Sequence, residues 1–201
     1  MEKVLTTPIK NEDIESLRIE DIIYLDGMIA ACRDTGHRRR VLAGIKPRFN
    51  LEGMAIFHAG PIVQKQEDEW EMISIGPTTS MRMEKFEAEF IEATGVKLIV
   101  GKGGMGAKTA RACRTHKVLH AVFPGGCAVL AAEAVEKITE VEWLDLGMPE
   151  AFWVMQVKNF GPLIISIDTE GNNLFENNKA EFNRRKVRII DEISEKVHFI
   201  N

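Results

Sequence analysis

The chain has 201 residues, of which 45% are hydrophobic and 28% charged, with a formal net charge of −4 at pH 7. That is enough for one domain with a proper core, and the acidic balance excludes nucleic acid as the main partner, because phosphate neutralisation needs a basic surface. No apolar run approaches the roughly 20 residues that span a bilayer, and MEKVLTTPIKNEDIE at the N-terminus lacks a leader-length apolar core, so we expect a cytoplasmic, single-domain protein over residues 1–201.

In chain order, the first β-rich run is DIIYLDG. A helix follows over Ala31–Ala43, with Arg33 and Asp34 at the strand-to-helix junction CRDTGH. Asp34 either caps this helix or fixes the Arg33 guanidinium, and His37 is a ligand contact or a structural hydrogen-bonder. MAIFHAG is the next strand, and His58 in it has the same two readings. EMISIG then runs into GPTTSMR and a helix over Ser80–Ala93. KLIVG leads through GKGGMG to a helix over Ala107–His116, and VLHAVFP leads through GG to one over Cys127–Ile138. EVEWL, AFWVMQV and PLIISID are strands without intervening helices, and a last helix covers Asn178–Lys196. The periodicities, apolar residues at 3.6 or at 2, carry these assignments. They describe an α/β domain with a mixed sheet flanked by helices.

HRRR at residues 37–40 and RRKVR at 184–188 read as solvated helix faces. Cys32, Cys113 and Cys127 are odd in number and far apart, so they form neither a disulfide framework nor a complete metal site. No metal ligand set is assigned to this chain.

Three junctions, ISIGPTTS, LIVGKGGMG and AVFPGGCAV, repeat one pattern of strand, Gly/Pro turn and helix. If the three strands share a sheet, three positive helix ends gather at one edge, which suits a small multiply charged anion. GKGGMG matches a dinucleotide fingerprint in form, but the next strand ends in AVFPGG with no carboxylate for a ribose. As a phosphate loop it fails by one residue, because Ala107 stands where the lysine belongs and Lys108 follows. What remains is Lys102 on a glycine turn. Thr78, Thr79 and Ser80 place hydroxyls, and Arg82 a guanidinium, where an acidic residue normally opens a helix. Arg33, Arg82 and Lys102 are three cations suited to a dicarboxylate.

GPTTSMRM, GKGGMG, HAGPIV, FPGGCAVL, DLGMPEAFWV and FGPLIISIDTEGNN together resemble the β-subunit, or C-terminal domain, of the iron–sulfur-dependent hydro-lyases, the class I fumarases and tartrate dehydratases. The resemblance runs from LTTPIK to VHFIN. It implies a swivelling β/β/α domain docked on a larger alpha subunit, in an α2β2 heterotetramer, with a [4Fe–4S] cluster bound by that partner and not by this chain. It implies a substrate site between the two subunits, with Arg33, Thr78, Thr79, Arg82 and Lys102 binding carboxylates and hydroxyl, and Thr78 as the base. It also implies dehydration of a small 2-hydroxy dicarboxylate, with the open iron as Lewis acid on the leaving hydroxyl. L(+)-tartrate giving oxaloacetate is the expected reaction, with malate/fumarate and D-tartrate as alternatives. Met81 departs from the small residue or threonine that fumarases often carry there. An apolar docking face is expected as well. From a different class, the alternative is a stand-alone anion- or nucleotide-binding module.

Overall fold

A computed structural model describes residues 1–67 and 69–196; the final motif, VHFIN at 197–201, lies outside the described residues. The chain runs β1 (Glu2–Thr6), α1 (Asn11–Ile14), β2 (Ile22–Ala31), α2 (Asp34–Leu42), β3 (Ala55–Phe57), β4 (Ile62–Gln66) and β5 (Glu69–Ser74). After a 3₁₀ turn at Ser80–Arg82 come α3 (Glu84–Thr94), β6 (Leu98–Gly101), α4 (Ala107–His116), β7 (Leu119–Val122), α5 (Ala128–Glu133) and β8 (Val135–Glu142). A second 3₁₀ turn precedes β9 (Phe152–Ile167) and α6 (Leu174–Lys196).

Seven strands form one mixed sheet in the order β1-β2-β3-β6-β7-β9-β8. β1, β2, β3, β6 and β7 are parallel, and β9 runs antiparallel to β7 and β8. β9 also pairs with β2 along most of its length, so the path β2–β3–β6–β7–β9 closes on itself. The two-residue period of each strand then divides its side chains between two cores. Ile29, Ala31, Phe57, Val100, Ala121, Trp153, Met155 and Phe160 fill one. Ala30, Ile56, Ile99, Phe152 and Val154 face the other, where Phe90 and Ile91 of α3 and Ala110 and Cys113 of α4 cover them.

Several sequence expectations change here. The run before β8 was expected to be helical to Ile138, but the helix stops at Glu133 and Val135–Glu142 is a strand. VEKITEVE spaces Val135, Ile138 and Val141 three apart, as a helix would, but the first half of β9 offers it a ladder, and two register shifts there let all three pack on one core. AFWVMQV and PLIISID are one 16-residue strand because β2 supports both halves of it. β1 and β4 escaped notice as strands. EMISIG overlaps the end of β5, which among the described residues pairs only with β4, in a separate two-stranded sheet. The three strand-to-helix junctions therefore do not share a sheet. The last helix starts at Leu174, where the Asn173 side chain accepts from the Phe175 and Glu176 N–H groups. Arg40 of the supposedly solvated cluster is buried and donates to the Ala93 carbonyl. Among the described residues, no helix is long and apolar enough to cross a membrane.

Candidate active site

The carboxyl ends of parallel strands are where α/β sheets usually hold ligands, and here three such ends deliver candidate residues. β2 ends into Cys32 and Arg33, β3 into His58–Gly60, and β6 into Lys102. Although β5 is in the other sheet, the loop after it is drawn to this edge by backbone pairing. Thr78 N–H donates to the His58 carbonyl (2.7 Å), Lys102 N–H to that of Thr78 (3.0 Å), and Ser80 N–H to that of Lys102 (3.0 Å). Ala59 and Pro77, and Thr79 and Lys102, form isolated bridges. Residues 78–80 thus lie between the ends of β3 and β6 as a short strand-like inset.

Arg82 does not open a helix, as expected from sequence; it closes the 3₁₀ turn, and α3 starts two residues later. Its guanidinium forks onto Asp34, with Nε–Oδ1 at 3.0 Å and Nη2–Oδ2 at 2.5 Å. Nη1 lies 3.5 Å from Thr78 Oγ1. Asp34 therefore neither caps α2 by its side chain nor holds Arg33. Those tasks fall to Glu150, which sits 3.2 Å from Arg33 Nε and accepts the Thr35 N–H at 3.0 Å. Thr78 is half-buried, while Thr79, Met81 and Lys102 are exposed. The Lys102 stem passes Gly125, whose hypothetical Cβ would touch its Cδ at 3.4 Å. Arg33, Thr78, Thr79, Arg82 and Lys102 are thus gathered at one edge, and Met81 faces solvent, not the core.

The positive end of α4 is already occupied. Glu84 accepts from the N–H groups of Gly106 (2.7 Å), Lys108 (3.1 Å) and Thr109 (3.3 Å), and from Thr109 Oγ1 (2.7 Å). This is where a nucleotide phosphate would have to sit, so the GKGGMG loop is not an open phosphate cradle. Glu84→Ala is expected to destabilise the fold by about 1–2 kcal/mol, as loss of a helix cap does. Urea unfolding checks this, and an unchanged midpoint would count against the cap.

Beneath the edge lies a fully buried set comprising His37 on α2, His58 after β3, and Glu87 on α3. Glu87 Oε2 is 3.4 Å from His37 Nε2 and 3.2 Å from His58 Nε2. His37 Nδ1 meets the Arg33 carbonyl at 3.0 Å, with Cys32 Sγ 3.3 Å away. His58 Nδ1 meets Ser80 Oγ at 3.1 Å. Burial works against a charged His37, but Cys32 and Glu87 outweigh it and raise its pKa well above the usual value. For His58 burial prevails and the pKa falls. Burial pushes Glu87 up, yet the two imidazoles pull it far below the usual carboxylate range. Sequence reasoning found no triad spacing around either histidine, and Ser80–His58–Glu87 does have the connectivity of one. It cannot act as a hydrolase triad, because Ser80 is wholly buried and a nucleophile must reach its substrate. Its Oγ fills the space over Gly101, where a Cβ would come within 1.9 Å. Gly101→Ala is expected to lower stability by about 1–3 kcal/mol through overpacking and to displace Thr78 and Thr79 with Ser80. Thermal unfolding should show the loss, with part of it recovered by Ser80→Gly in the same chain; an undisturbed melting temperature in Gly101→Ala would refute the close contact.

A mixed sheet whose carboxyl edge carries GPTTSMR beside GKGG places the chain in a family, and the chain belongs to the one described as fumarase C-terminus, which matches residues 2–178. Among individual proteins it is 60% identical over 200 residues to the L(+)-tartrate dehydratase subunit beta of Escherichia coli (strain K12), covering all of both chains. It is 41% identical over 186 residues to the putative L(+)-tartrate dehydratase subunit beta of Methanocaldococcus jannaschii, covering 90% of this chain and 93% of that one. A putative fumarate hydratase class I of Geobacillus stearothermophilus is 35% identical over 173 residues, 86% of this chain and 33% of the longer protein.

Proposed function

We propose that this chain is the beta subunit of a hydro-lyase that dehydrates L(+)-tartrate to oxaloacetate and water, working with an alpha subunit in an α2β2 assembly. Full-length identity of 60% to tartrate dehydratase beta subunits is the observation that carries this reading. The relative named as a fumarate hydratase keeps malate/fumarate as the second reading. D-tartrate would need only a different stereochemical fit.

The cofactor of such an enzyme is a [4Fe–4S] cluster. This chain's cysteines do not suit one, because Cys32 lies at the end of β2, Cys113 within α4 and Cys127 before α5, and the first two are buried. Burial pushes the Cys113 thiol up, away from the thiolate form that ligates iron. We therefore assign the cluster to the alpha subunit and derive no step from it here.

The work of this chain is to bind and orient the dicarboxylate. Arg33 and Arg82 offer planar forks to its carboxylates, while Lys102 adds a point charge on an adaptable stem. These cations stabilise the negative charge that develops when the carbon next to a carboxylate loses its proton. Thr78 Oγ1 is the acceptor we assign to that proton. An alkoxide is costly unless stabilised, and the nearby Arg82 Nη1 favours it. Exposed Met81, Val129, Leu130 and Met148 supply an apolar margin for the docked alpha subunit.

The test is an anaerobic assay of the chain co-purified with its alpha subunit, comparing L(+)-tartrate, D-tartrate and malate. Preferential formation of oxaloacetate from L(+)-tartrate is expected. Preference for malate would move the protein to the fumarases, and turnover of none of the three would overturn the reading.

A further inference from the structure

We propose that His37, His58 and Glu87 form a buried site for one divalent transition-metal ion of the zinc class, which ties α2 and the segment after β3 to α3.

Four buried side-chain atoms of this set have no well-aligned hydrogen-bond partner among the described residues: His37 Nε2, His58 Nε2, Glu87 Oε1 and Glu87 Oε2. Orphaned polar atoms are rare in interiors, and four facing one another call for a shared partner. One ligand atom from each residue lies within 4.8 Å of the others.

A proton is the simplest partner, and distance argues against it. Charge-assisted hydrogen bonds between nitrogen and carboxylate run about 2.7–2.9 Å and are close to linear. The separations here are 3.4 Å and 3.2 Å, both longer than that range. Donors placed about 2.0–2.1 Å from a tetrahedral zinc lie about 3.3–3.4 Å from each other. The two histidine-to-Glu87 spacings match the edge of a coordination polyhedron, and the three ligand atoms all lie within 4.8 Å of one another.

The outer nitrogens point the same way. A metal-bound imidazole usually gives its other N–H to a carbonyl or another oxygen, which fixes the tautomer. With the Nδ1–H of His37 given to the Arg33 carbonyl and that of His58 to Ser80 Oγ, each neutral ring would turn its Nε2 lone pair toward Glu87. Two imidazoles with a chelating carboxylate give two nitrogens and two oxygens, a donor set suited to zinc, cobalt(II) or iron(II) and too nitrogen-rich for calcium or magnesium. Complete burial makes the ion's role structural: it holds Arg33 and the Thr78–Arg82 loop in register.

The proposal does not depend on tartrate being the substrate, and its test does not read turnover. The untagged full-length chain is equilibrated with Zn²⁺ at pH 8, freed of loose metal by gel filtration, and assayed for bound zinc. About one equivalent per chain is expected in the wild type, and less than about a tenth of that in Glu87→Gln and in His58→Gln. Co²⁺ in place of Zn²⁺ should give visible d–d bands that both variants lose. Circular dichroism identifies a variant that fails to fold, in which case the other variant and the wild-type stoichiometry decide. Wild-type chain without bound zinc, its His37 protonated at both ring nitrogens by ¹⁵N NMR, would overturn the site. So would equal zinc content in wild type and a folded variant.

Discussion

Arg82→Ala is expected to lower kcat/KM for the dicarboxylate by about 10²–10³-fold, the effect of removing one preorganised charge-stabilising donor. Arg82 is the residue on which the loop and α2 converge. Asp34 holds two of its nitrogens in a fork, and the third faces Thr78 Oγ1. The pairing pre-orients the guanidinium, so less side-chain freedom is lost when a carboxylate arrives. Truncation removes both the clamp and the cation beside Thr78. Stability should change little, since the pair is half-exposed and Asp34 remains in the first turn of α2, where the helix dipole favours it. Arg82→Lys keeps the charge without the fork and should fall between wild type and Ala. Steady-state kinetics alongside urea unfolding separate the two effects. Near-normal kcat/KM in a folded Arg82→Ala protein would remove Arg82 from the site.

Trp153→Ala should be the most destabilising single truncation, at about 3–5 kcal/mol. This is a large part of the roughly 5–15 kcal/mol that holds a domain folded. The indole is fully buried inside the closed sheet, on the strand that completes it. Its Nε1–H donates to the Met148 carbonyl at 2.9 Å. Its ring meets Trp70 edge-on, 5.3 Å between centroids, which seats the small β4–β5 sheet against the larger one. Removal would open a cavity, orphan the Met148 carbonyl and loosen the segment that carries Glu150, the partner of Arg33. Trp153→Phe, which keeps a ring and loses only the hydrogen bond and part of the volume, should cost less. Equilibrium unfolding in urea measures both, and a loss below about 1 kcal/mol in the alanine variant would show that the closed sheet does not depend on this side chain.

Much of the candidate site was legible in its residues and little in its pairings. Thr78, Thr79, Arg82 and Lys102 stood out because hydroxyls and cations followed strands at glycine turns, and the structure places them together with Arg33. Asp34 read as a cap of α2 or as the partner of Arg33 beside it, yet it meets a guanidinium 48 positions away, that of Arg82. Glu150, which takes over Arg33 and the cap of α2, gave no signal of its own in GMPEAF. Nor did Glu84 or Glu87, two of the acidic residues of α3. They turn inward because α4 and the two histidines pack on that face.

The sequence by itself determined what depends on near neighbours. The apolar runs of β2, β3 and β6, turns at Gly101–Gly106 and Pro124–Gly126, the period of α4, and the supply of cations and hydroxyls all follow from side-chain size, charge and backbone freedom within a few residues. Tertiary structure decided what depends on partners distant in the chain. Val135–Ile138 became a strand only because β9 offered it a ladder, and β9 stayed unbroken only because β2 ran beside it. The gathering of Arg33, Arg82 and Lys102 required a loop from the smaller sheet to hydrogen-bond between two strands of the larger. Local propensity acts over one turn of helix or one pleat of strand. A charge or a strand edge is satisfied by whatever the fold brings within about 3 Å, and that is set by closure of the whole chain.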